Sequence, residues 1–189
     1  MDAVELLTAD HQRVRGLFRR FERARTEGDE AAVTALAATI AEELTTHTTI
    51  EEERFYPACR AADETLASLL DESLQEHHVV GVLLDELSQV PAGGEEWLAK
   101  LTVLIENVEH HAEEEEQELF PKVRRAIDEA GRAALGASLD ERKGELGAPT
   151  AADREHLSND DVRRLASAQD IPGRSKMSPE QLRAAVDPR

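Results

Sequence analysis

The sequence predicts an all-α fold: an up-and-down antiparallel four-helix bundle with an extra C-terminal helix and a small helix–loop–helix tail. The chain of 189 residues is rich in alanine, leucine and glutamate, and only 3% of its residues are aromatic, which is typical of helical proteins. Four segments repeat apolar residues at steps of three and four, the spacing of one helix face. Short breaks separate these segments, and short loops join antiparallel neighbours.

Each predicted bundle helix ends at a recognisable break. The four helices cover about residues 2–26, 30–57, 66–90 and 97–121. Gly28-Asp29 ends the first helix and offers an N-cap for the second. The apolar stripe lapses over residues 61–64, and the sequence PAGGEE, beginning at Pro91, reads as a turn.

The C-terminal third of the sequence predicts one more helix and a separate small unit. An alanine-rich helix is expected over residues 123–146, so that residues 1–146 form the bundle with its extra helix. Residues 147–156 read as a linker, and residues 157–189 as a helix–loop–helix unit. In that unit Ser178, Pro179 and Gln181 supply an N-cap, a first-turn proline and a capping-box partner.

The charge and the hydropathy exclude several classes of protein. A formal net charge of −18 should repel nucleic acid and anionic membranes from the bundle. No apolar run is long enough to cross a bilayer and no signal peptide is evident, so a cytoplasmic location is expected. The single cysteine, Cys59, cannot form an internal disulfide, which fits a reducing compartment.

Polar residues interrupt every apolar stripe at one position. Each predicted helix carries one histidine on its stripe, and two of these histidines are followed four residues later by a glutamate on the same face. In an antiparallel hairpin, residues equidistant from the turn lie at one height. The midpoints of successive histidine pairs are residues 29, 62 and 94, and all three fall in predicted breaks. One layer of the core should therefore contain His11, His47, Glu51, His77, His111 and Glu115.

Such a layer indicates a metal centre. A buried histidine is often only a satisfied core residue, but buried carboxylates without partners are costly, and a metal-free His–Glu network explains six converging residues less well. Six ligands exceed the four of a structural zinc site and suit two ions bridged by two carboxylates. His11 and His47 would hold one ion and His77 and His111 the other, with iron, manganese or zinc as the metal.

An internal repeat fixes which neighbours enter the layer. HTTIEEERFYP, from His47 to Pro57, matches HAEEEEQELFP, from His111 to Pro121, and aligns Glu51 with Glu115. The remaining acids near these blocks are expected on a solvated face, namely Glu52, Glu53, Glu114, Glu116 and Glu118. His78 and His110 lie about 100° of helix rotation from the stripe and are expected outside it; Glu116 could replace Glu115 if the helix is locally over- or under-wound.

These two His-xxx-Glu blocks, with the isolated His11 and His77, resemble the hemerythrin-like (HHE cation-binding) family over about residues 2–125. The resemblance implies a non-haem di-iron centre, with two iron ions joined by an oxo or hydroxo bridge; manganese and zinc stay open. Animal members of the family carry oxygen. Bacterial members are linked to sensing of oxygen or nitric oxide, to iron handling and to peroxide disproportionation.

The sequence departs from the animal carriers at two positions. Their third helix presents two histidines four residues apart, whereas Gly81 follows His77 at that spacing here. Their fourth helix uses a carboxylate five residues after the histidine, whereas the repeat favours Glu115, at four. In lacking the second histidine of the third helix, the sequence resembles the actinobacterial members of the family that are proposed to act on peroxide. The resemblance implies O2, H2O2 or NO as the ligand, with catalase-like peroxide disproportionation or oxidative-stress defence at the di-iron centre. An O2 or NO sensor or carrier and an iron sensor or reservoir are the alternatives.

The C-terminal unit resembles a different class of module. The stretch from Asp161 to Val186 is similar to the Rho N-terminal-like or SAP-like helix–loop–helix modules, some of which bind nucleic acid. From Thr150 onward the chain has seven basic and seven acidic residues, so it shows no strong bias toward phosphate. A nucleic-acid partner and a protein-docking role are both open for this unit.

Overall fold

The computed structural model describes residues 1–188, so Arg189, the end of the predicted 157–189 unit, lies outside the described residues. Within residues 1–188 every regular element is a helix, which confirms the all-α prediction. Helices α1, α2, α4 and α5 form the bundle. The α-helices are α1 (Ala3–Glu27), α2 (Glu30–Ile50), α3 (Tyr56–Ala62), α4 (Ala67–Gln89), α5 (Glu95–Glu114), α6 (Phe120–Ala126), α7 (Glu129–Glu145), α8 (Ala151–Arg154), α9 (Asn159–Ala168) and α10 (Pro179–Ala185).

Tight turns reverse the chain where the sequence predicts them. Gly28 ends α1 with a φ of 74°, and its N–H donates to the carbonyl oxygens of Ala24 and Arg25. Asp29 then caps α2 by accepting from the N–H of Ala32. Because only these two residues separate the helices, α1 and α2 pack antiparallel.

The helical backbone does not end at Pro57 and Pro121, where the sequence predicts the ends of the second and fourth bundle helices. The backbone continues beyond α2 as a π-helix at Glu51–Phe55 and then as α3, and beyond α5 as a π-helix at Glu115–Leu119 and then as α6. Proline lacks an N–H and clashes with the carbonyl four residues earlier, so a wider turn is needed ahead of it. This wider turn brings two successive side chains, Phe55 and Tyr56, into the interior.

Two apolar clusters fill the bundle and leave one layer between them. The first cluster, which includes Phe18, Phe21 and Leu104, lies toward the α1–α2 and α4–α5 turns. The second, which includes Phe55 and Phe120, lies toward the opposite end and is covered by α7. Along each bundle helix the histidine of the stripe falls between a residue of one cluster and a residue of the other. The polar layer therefore crosses the middle of an apolar core.

The extra helix is shorter than predicted and is held close to the N-terminus. Instead of one helix over residues 123–146, α6 ends at Ala126 and Asp128 caps α7. Gly136 packs directly on the start of α1, where an added Cβ would lie 2.7 Å from the carbonyl oxygen of Met1. The close approach of two backbones requires glycine at this position.

The C-terminal helices pack on the outside of α1. The predicted linker 147–156 is not irregular throughout, since it contains α8 with a capping box between Thr150 and Asp153, and Arg154 is buried. Residues of α9, α10 and the loop between them form a third apolar cluster with Ala9 of α1. The predicted capping box between Ser178 and Gln181 is present at the start of α10. The division into domains at residues 146 and 157 stays a prediction.

Among residues 1–188, the helices are all too short or too polar to cross a lipid bilayer.

Candidate metal centre

Six side chains of the bundle meet in the polar layer. His11 comes from α1, His47 from α2, His77 from α4 and His111 from α5, while Glu51 and Glu115 each open a π-helix. The histidines are 4–6% exposed, and the two glutamates 0% and 1%. The structure therefore brings together all six residues that the stripe and the midpoint argument selected; their role as ligands stays a prediction.

The four histidines face one another in two pairs. Nε2 of His11 lies 3.2 Å from Nε2 of His47, and Nε2 of His77 lies 3.1 Å from Nε2 of His111. Two nitrogens at this separation can both reach one ion about 2.0–2.1 Å from each. Without a proton or a cation between them, two lone pairs would face each other at contact distance.

Each glutamate contacts one histidine of each pair. Oε2 of Glu51 lies 3.2 Å from Nε2 of His47 and 3.4 Å from Nε2 of His77. Oε2 of Glu115 lies 3.4 Å from Nε2 of His11 and 3.7 Å from Nε2 of His111. The carboxylates thus lie between the two histidine pairs, where bridging ligands of a two-ion centre would be placed.

Carboxylates approach the outer nitrogen of every histidine. Nδ1 of His11 donates to Glu116 at 2.9 Å, that of His77 to Glu52 at 3.0 Å and that of His111 to Glu76 at 2.7 Å. An ionised carboxylate only accepts, so Nδ1 carries the hydrogen and the Nε2 lone pair points into the layer. This arrangement orients histidines that bind metals in proteins.

One of these carboxylates corrects the sequence prediction. Glu116 was expected on a solvated face, but it is half-buried and accepts from Nδ1 of His11. Glu52 is exposed, as expected, and its carboxylate also reaches Nδ1 of His77. The structure also places Glu115, and not Glu116, within the layer. Glu53, Glu114 and Glu118 do not contact the six residues through the hydrogen bonds or ion pairs of residues 1–188.

Sequence reasoning missed the carboxylates that precede two of the histidines. Glu76 comes before His77 and contacts His111, while Asp10 comes before His11 and lies 3.7 Å from Nδ1 of His47. The signal was the acid-histidine pair at the same place in both halves of the internal repeat. A residue beside a histidine in sequence points to the adjacent helix, and its contact could not be read from one stripe alone.

The buried carboxylates provide the test of whether a cation fits. Both carboxyl oxygens of Glu51, Oε2 of Glu115 and Nδ1 of His47 are buried without a hydrogen-bond partner. Burial and the adjacent Glu115 carboxylate raise the pKa of Glu51 well above its usual value. Burial and the neighbouring His111 lower the pKa of His77 to about 3. Carboxylate oxygens without hydrogen-bond partners and imidazole nitrogens in one layer are the donor set that a divalent cation would satisfy.

A tyrosine that the sequence analysis did not select also enters the layer. The hydroxyl of Tyr56 donates to Oε1 of Glu115 at 3.0 Å and lies 3.2 Å from Nε2 of His77. Burial, with Glu115 and Glu51 nearby, raises the pKa of Tyr56 well above its usual value. Its equivalent in the internal repeat is Phe120, which stacks on His11 with ring centroids 5.8 Å apart. The repeat, which places both residues before a proline, could have identified this position.

A small cavity adjoins the layer on the side of the first apolar cluster. Its volume of about 20 Å³ is room for roughly one water-sized molecule. All four histidines line it, together with apolar side chains that include Val14, Phe18, Leu44, Val80 and Val108. The cavity admits only a small ligand to the metal-facing nitrogens.

The remaining candidate positions lie outside the layer. His78 and His110 are exposed, as expected from their place off the stripe, and His110 pairs with Glu114 at 3.3 Å. Gly81, which stands where animal carriers have a further histidine, is also exposed, with open space beyond its missing side chain.

Comparisons with known proteins find relatives of this sequence and a solved structure with a similar fold. The chain is 31% identical over 121 residues to the uncharacterized protein Rv2633c of Mycobacterium tuberculosis, covering 64% of this chain and 71% of that protein. Mb2666c of Mycobacterium bovis matches to the same extent. The fold is similar to the crystal structure of a hemerythrin HHE cation binding domain-containing protein, the Rv2633c homolog from Mycobacterium kansasii. That likeness has a TM-score of 0.65 and 23% identity, covering 97% of this chain and 99% of the other, and it bears on the fold alone.

The family model for the hemerythrin HHE cation binding domain matches residues 2–123, which carry all six residues of the layer. The chain therefore belongs to the hemerythrin HHE cation-binding family.

Proposed function

We propose that this chain is a non-haem di-iron protein that disproportionates hydrogen peroxide in defence against oxidative stress. His11 and His47 would hold one ion, His77 and His111 the other, and Glu51 and Glu115 would bridge them. The pairing of the Nε2 atoms and the position of each glutamate between the pairs support this assignment. Iron suits this mixture of imidazole and carboxylate.

The reaction sets what the chain must supply. One peroxide accepts two electrons and two protons and becomes two waters, while a second loses two electrons and two protons and leaves as O2. The bound iron ions would supply the two-electron redox couple. The chain must therefore admit a molecule of peroxide size, exclude larger ones, and hold protons close to the reacting oxygen atoms.

The hydroxyl of Tyr56 is the observation that carries the proposal. It lies in the layer beside His77 and Glu115, on the half of the centre where Gly81 supplies no further histidine. The raised pKa keeps the proton on Oη, which donates it in a hydrogen bond to Glu115 in the resting chain and would hold it available for a peroxide oxygen.

The test compares the iron-loaded protein with the Tyr56→Phe variant in an oxygen electrode. We expect oxygen release from peroxide well above that of free iron at equal concentration, and a loss of about 100-fold in the variant because a positioned proton donor is removed. Iron content and the absorption spectrum should stay unchanged, since Phe120 already occupies the equivalent position in the other half. Oxygen release no greater than the free-iron control would refute the enzyme.

A second candidate function is reversible binding of O2 or NO for sensing or transport. The apolar wall of the cavity favours it, because an uncharged diatomic molecule loses little on leaving water for an apolar site. The reduced iron protein would then give a stable adduct spectrum with NO or O2 that reverses when the gas is removed. A reduced protein whose spectrum does not respond to either gas would exclude this function.

The proposal for the C-terminal unit is separate. Residues 157–188 form a helix–loop–helix against α1, which is compatible with a Rho N-terminal-like or SAP-like module that binds nucleic acid or protein. A mobility shift of single-stranded RNA at low salt would support nucleic-acid binding. If no shift occurs with RNA or DNA, a protein-docking role is the remaining form of this proposal.

A further inference from the structure

The two halves of the internal repeat build the same carboxylate frame around the centre. One half-site is the His11/His47 pair with Asp10 and Glu116 on its outer nitrogens. The other is the His77/His111 pair with Glu76 and Glu52 in the corresponding places. Each histidine and each outer carboxylate has a counterpart in the other half. The half-sites differ in what surrounds these acids, and in the hydroxyl of Tyr56, which lies beside His77 where Phe120 stacks on His11.

Cations surround the acids of the His11/His47 half-site. Arg15 pairs with Glu116 at 2.7 Å. Lys143 of α7 donates to both oxygens of Asp10 at 2.7 Å. Arg13 pairs with Asp10 at 2.5 Å and with Glu43 at 2.9 Å. Three cations thus face three carboxylates, and the charge of this surrounding is balanced.

The acids of the His77/His111 half-site have no such partners. Among residues 1–188, no lysine or arginine nitrogen lies within 4.0 Å of Glu52 or Glu76. The counterparts of the two arginines in the repeat are uncharged, Val79 for Arg13 and Gly81 for Arg15. This half-site therefore keeps about two uncompensated negative charges beside its histidines.

The hydrogen bonds of the outer histidine nitrogens also differ between the two half-sites. Nδ1 of His111 donates to Glu76 at 2.7 Å, whereas Nδ1 of His47 has no hydrogen-bond partner and lies 3.7 Å from Asp10, which Lys143 and Arg13 contact. A carboxylate that accepts from the outer nitrogen strengthens a histidine as a metal donor. Both charge and donor strength thus favour a cation at the same half-site.

We infer that the two metal positions are unequal: the His77/His111 half-site binds a divalent cation first and more tightly, and the His11/His47 half-site binds second and releases first. The inference rests on the proposed two-ion centre and adds an order of loading to it. It also gives α7 a role, since Lys143 weakens the second position by occupying Asp10.

The test is a calorimetric titration of the full chain with cobalt(II), which avoids oxidation. We expect two steps with affinities at least about tenfold apart. Two variants form a matched pair: Glu76 and Glu116 are 24% and 26% exposed and each accepts from the outer nitrogen of one histidine. Glu76→Gln should weaken the first step about tenfold, and Glu116→Gln should weaken only the second.

A third variant checks the charge argument without touching a carboxylate. Arg15→Met should strengthen the second step and reduce the difference in affinity between the two steps. Circular dichroism verifies that each variant is folded, and the arginine variant still decides the matter if a glutamine variant is not. If the two ions bind with equal affinity, or if Glu116→Gln weakens the first step, the inferred order of loading is wrong while the proposed two-ion centre still stands. No cobalt bound by the wild type would overturn the proposed centre as well.

Discussion

Glu51→Gln should stabilise the chain when metal is removed and destabilise it relative to wild type when metal is present. Glu51 is completely buried and both of its carboxyl oxygens lack hydrogen-bond partners. Its amide replacement has the same shape, carries no charge, and can donate to Nε2 of His47 or His77, which lie 3.2 and 3.4 Å from Oε2. Glu51→Gln should therefore be more stable than the wild type without metal and less stable than the wild type with metal.

The size of the effect follows from the buried oxygens. An unsatisfied buried polar group costs about 1–3 kcal/mol, so the chelated variant should gain roughly that much free energy of unfolding. For a chain of this length the melting temperature should rise by about 2–4 °C per kcal/mol. A ligand at 100 times its dissociation constant adds about 2.7 kcal/mol to the wild type, and the variant should lose much of this gain.

The assay is thermal unfolding by circular dichroism with a chelator and with excess ferrous ion under anaerobic conditions. Glu52→Gln is the control, because Glu52 lies next in sequence but is 46% exposed; its chelated form should change by no more than about 0.5 kcal/mol. If Glu51→Gln is less stable than the wild type in the presence of chelator, the claim that the buried Glu51 carboxylate destabilises the metal-free chain is refuted. If iron stabilises the wild type and Glu51→Gln equally, the claim that Glu51 binds the metal is refuted.

Three further predictions concern stability and docking. Because the pKa of His77 falls from 6.5 to about 3, this residue binds fewer protons in the folded chain than in the unfolded one between these values. Its own contribution to stability should drop by up to about 5 kcal/mol as the pH falls through this window, and His77→Gln should remove that part of the pH dependence measured by urea unfolding. Gly136→Val places atoms against the backbone of Met1 and Ala3 and should cost at least about 1–3 kcal/mol in urea unfolding, whereas the same change at exposed Gly81 should cost little. At Gly16 an added Cβ would lie 2.5 Å from the carbonyl oxygen of Gln169, so Gly16→Val should speed amide exchange in α9 and α10 while the spectrum of the metal centre is unchanged.

The fold and the six central residues could be predicted because they follow one helical period. A stripe at steps of three and four places His11 or His47 on the core face, and the turn at Gly28-Asp29 fixes their common height. Tyr56 could not be placed in this way, since the π-helix at Glu51–Phe55 shifts the inward face by one residue.

Contacts between side chains of different helices could not be predicted from the apolar stripe of one helix either. Lys143 reaches Asp10 from a helix whose position on α1 depends on the close approach at Gly136. The break at Ile127-Asp128 that starts this helix is a local cap, which composition alone did not reveal. The sequence therefore predicted which residues meet in the layer better than it predicted what surrounds them.

Metal analysis tests the central claim most directly. The protein purified from its own host should contain about two iron ions per chain, and the double variant Glu51→Gln, Glu115→Gln should contain far less while remaining helical. Addition of peroxide to the wild type should release oxygen. A wild-type protein that is folded but contains no metal, and that takes up none on anaerobic incubation with ferrous ion, would contradict the assignment of this layer as a metal centre.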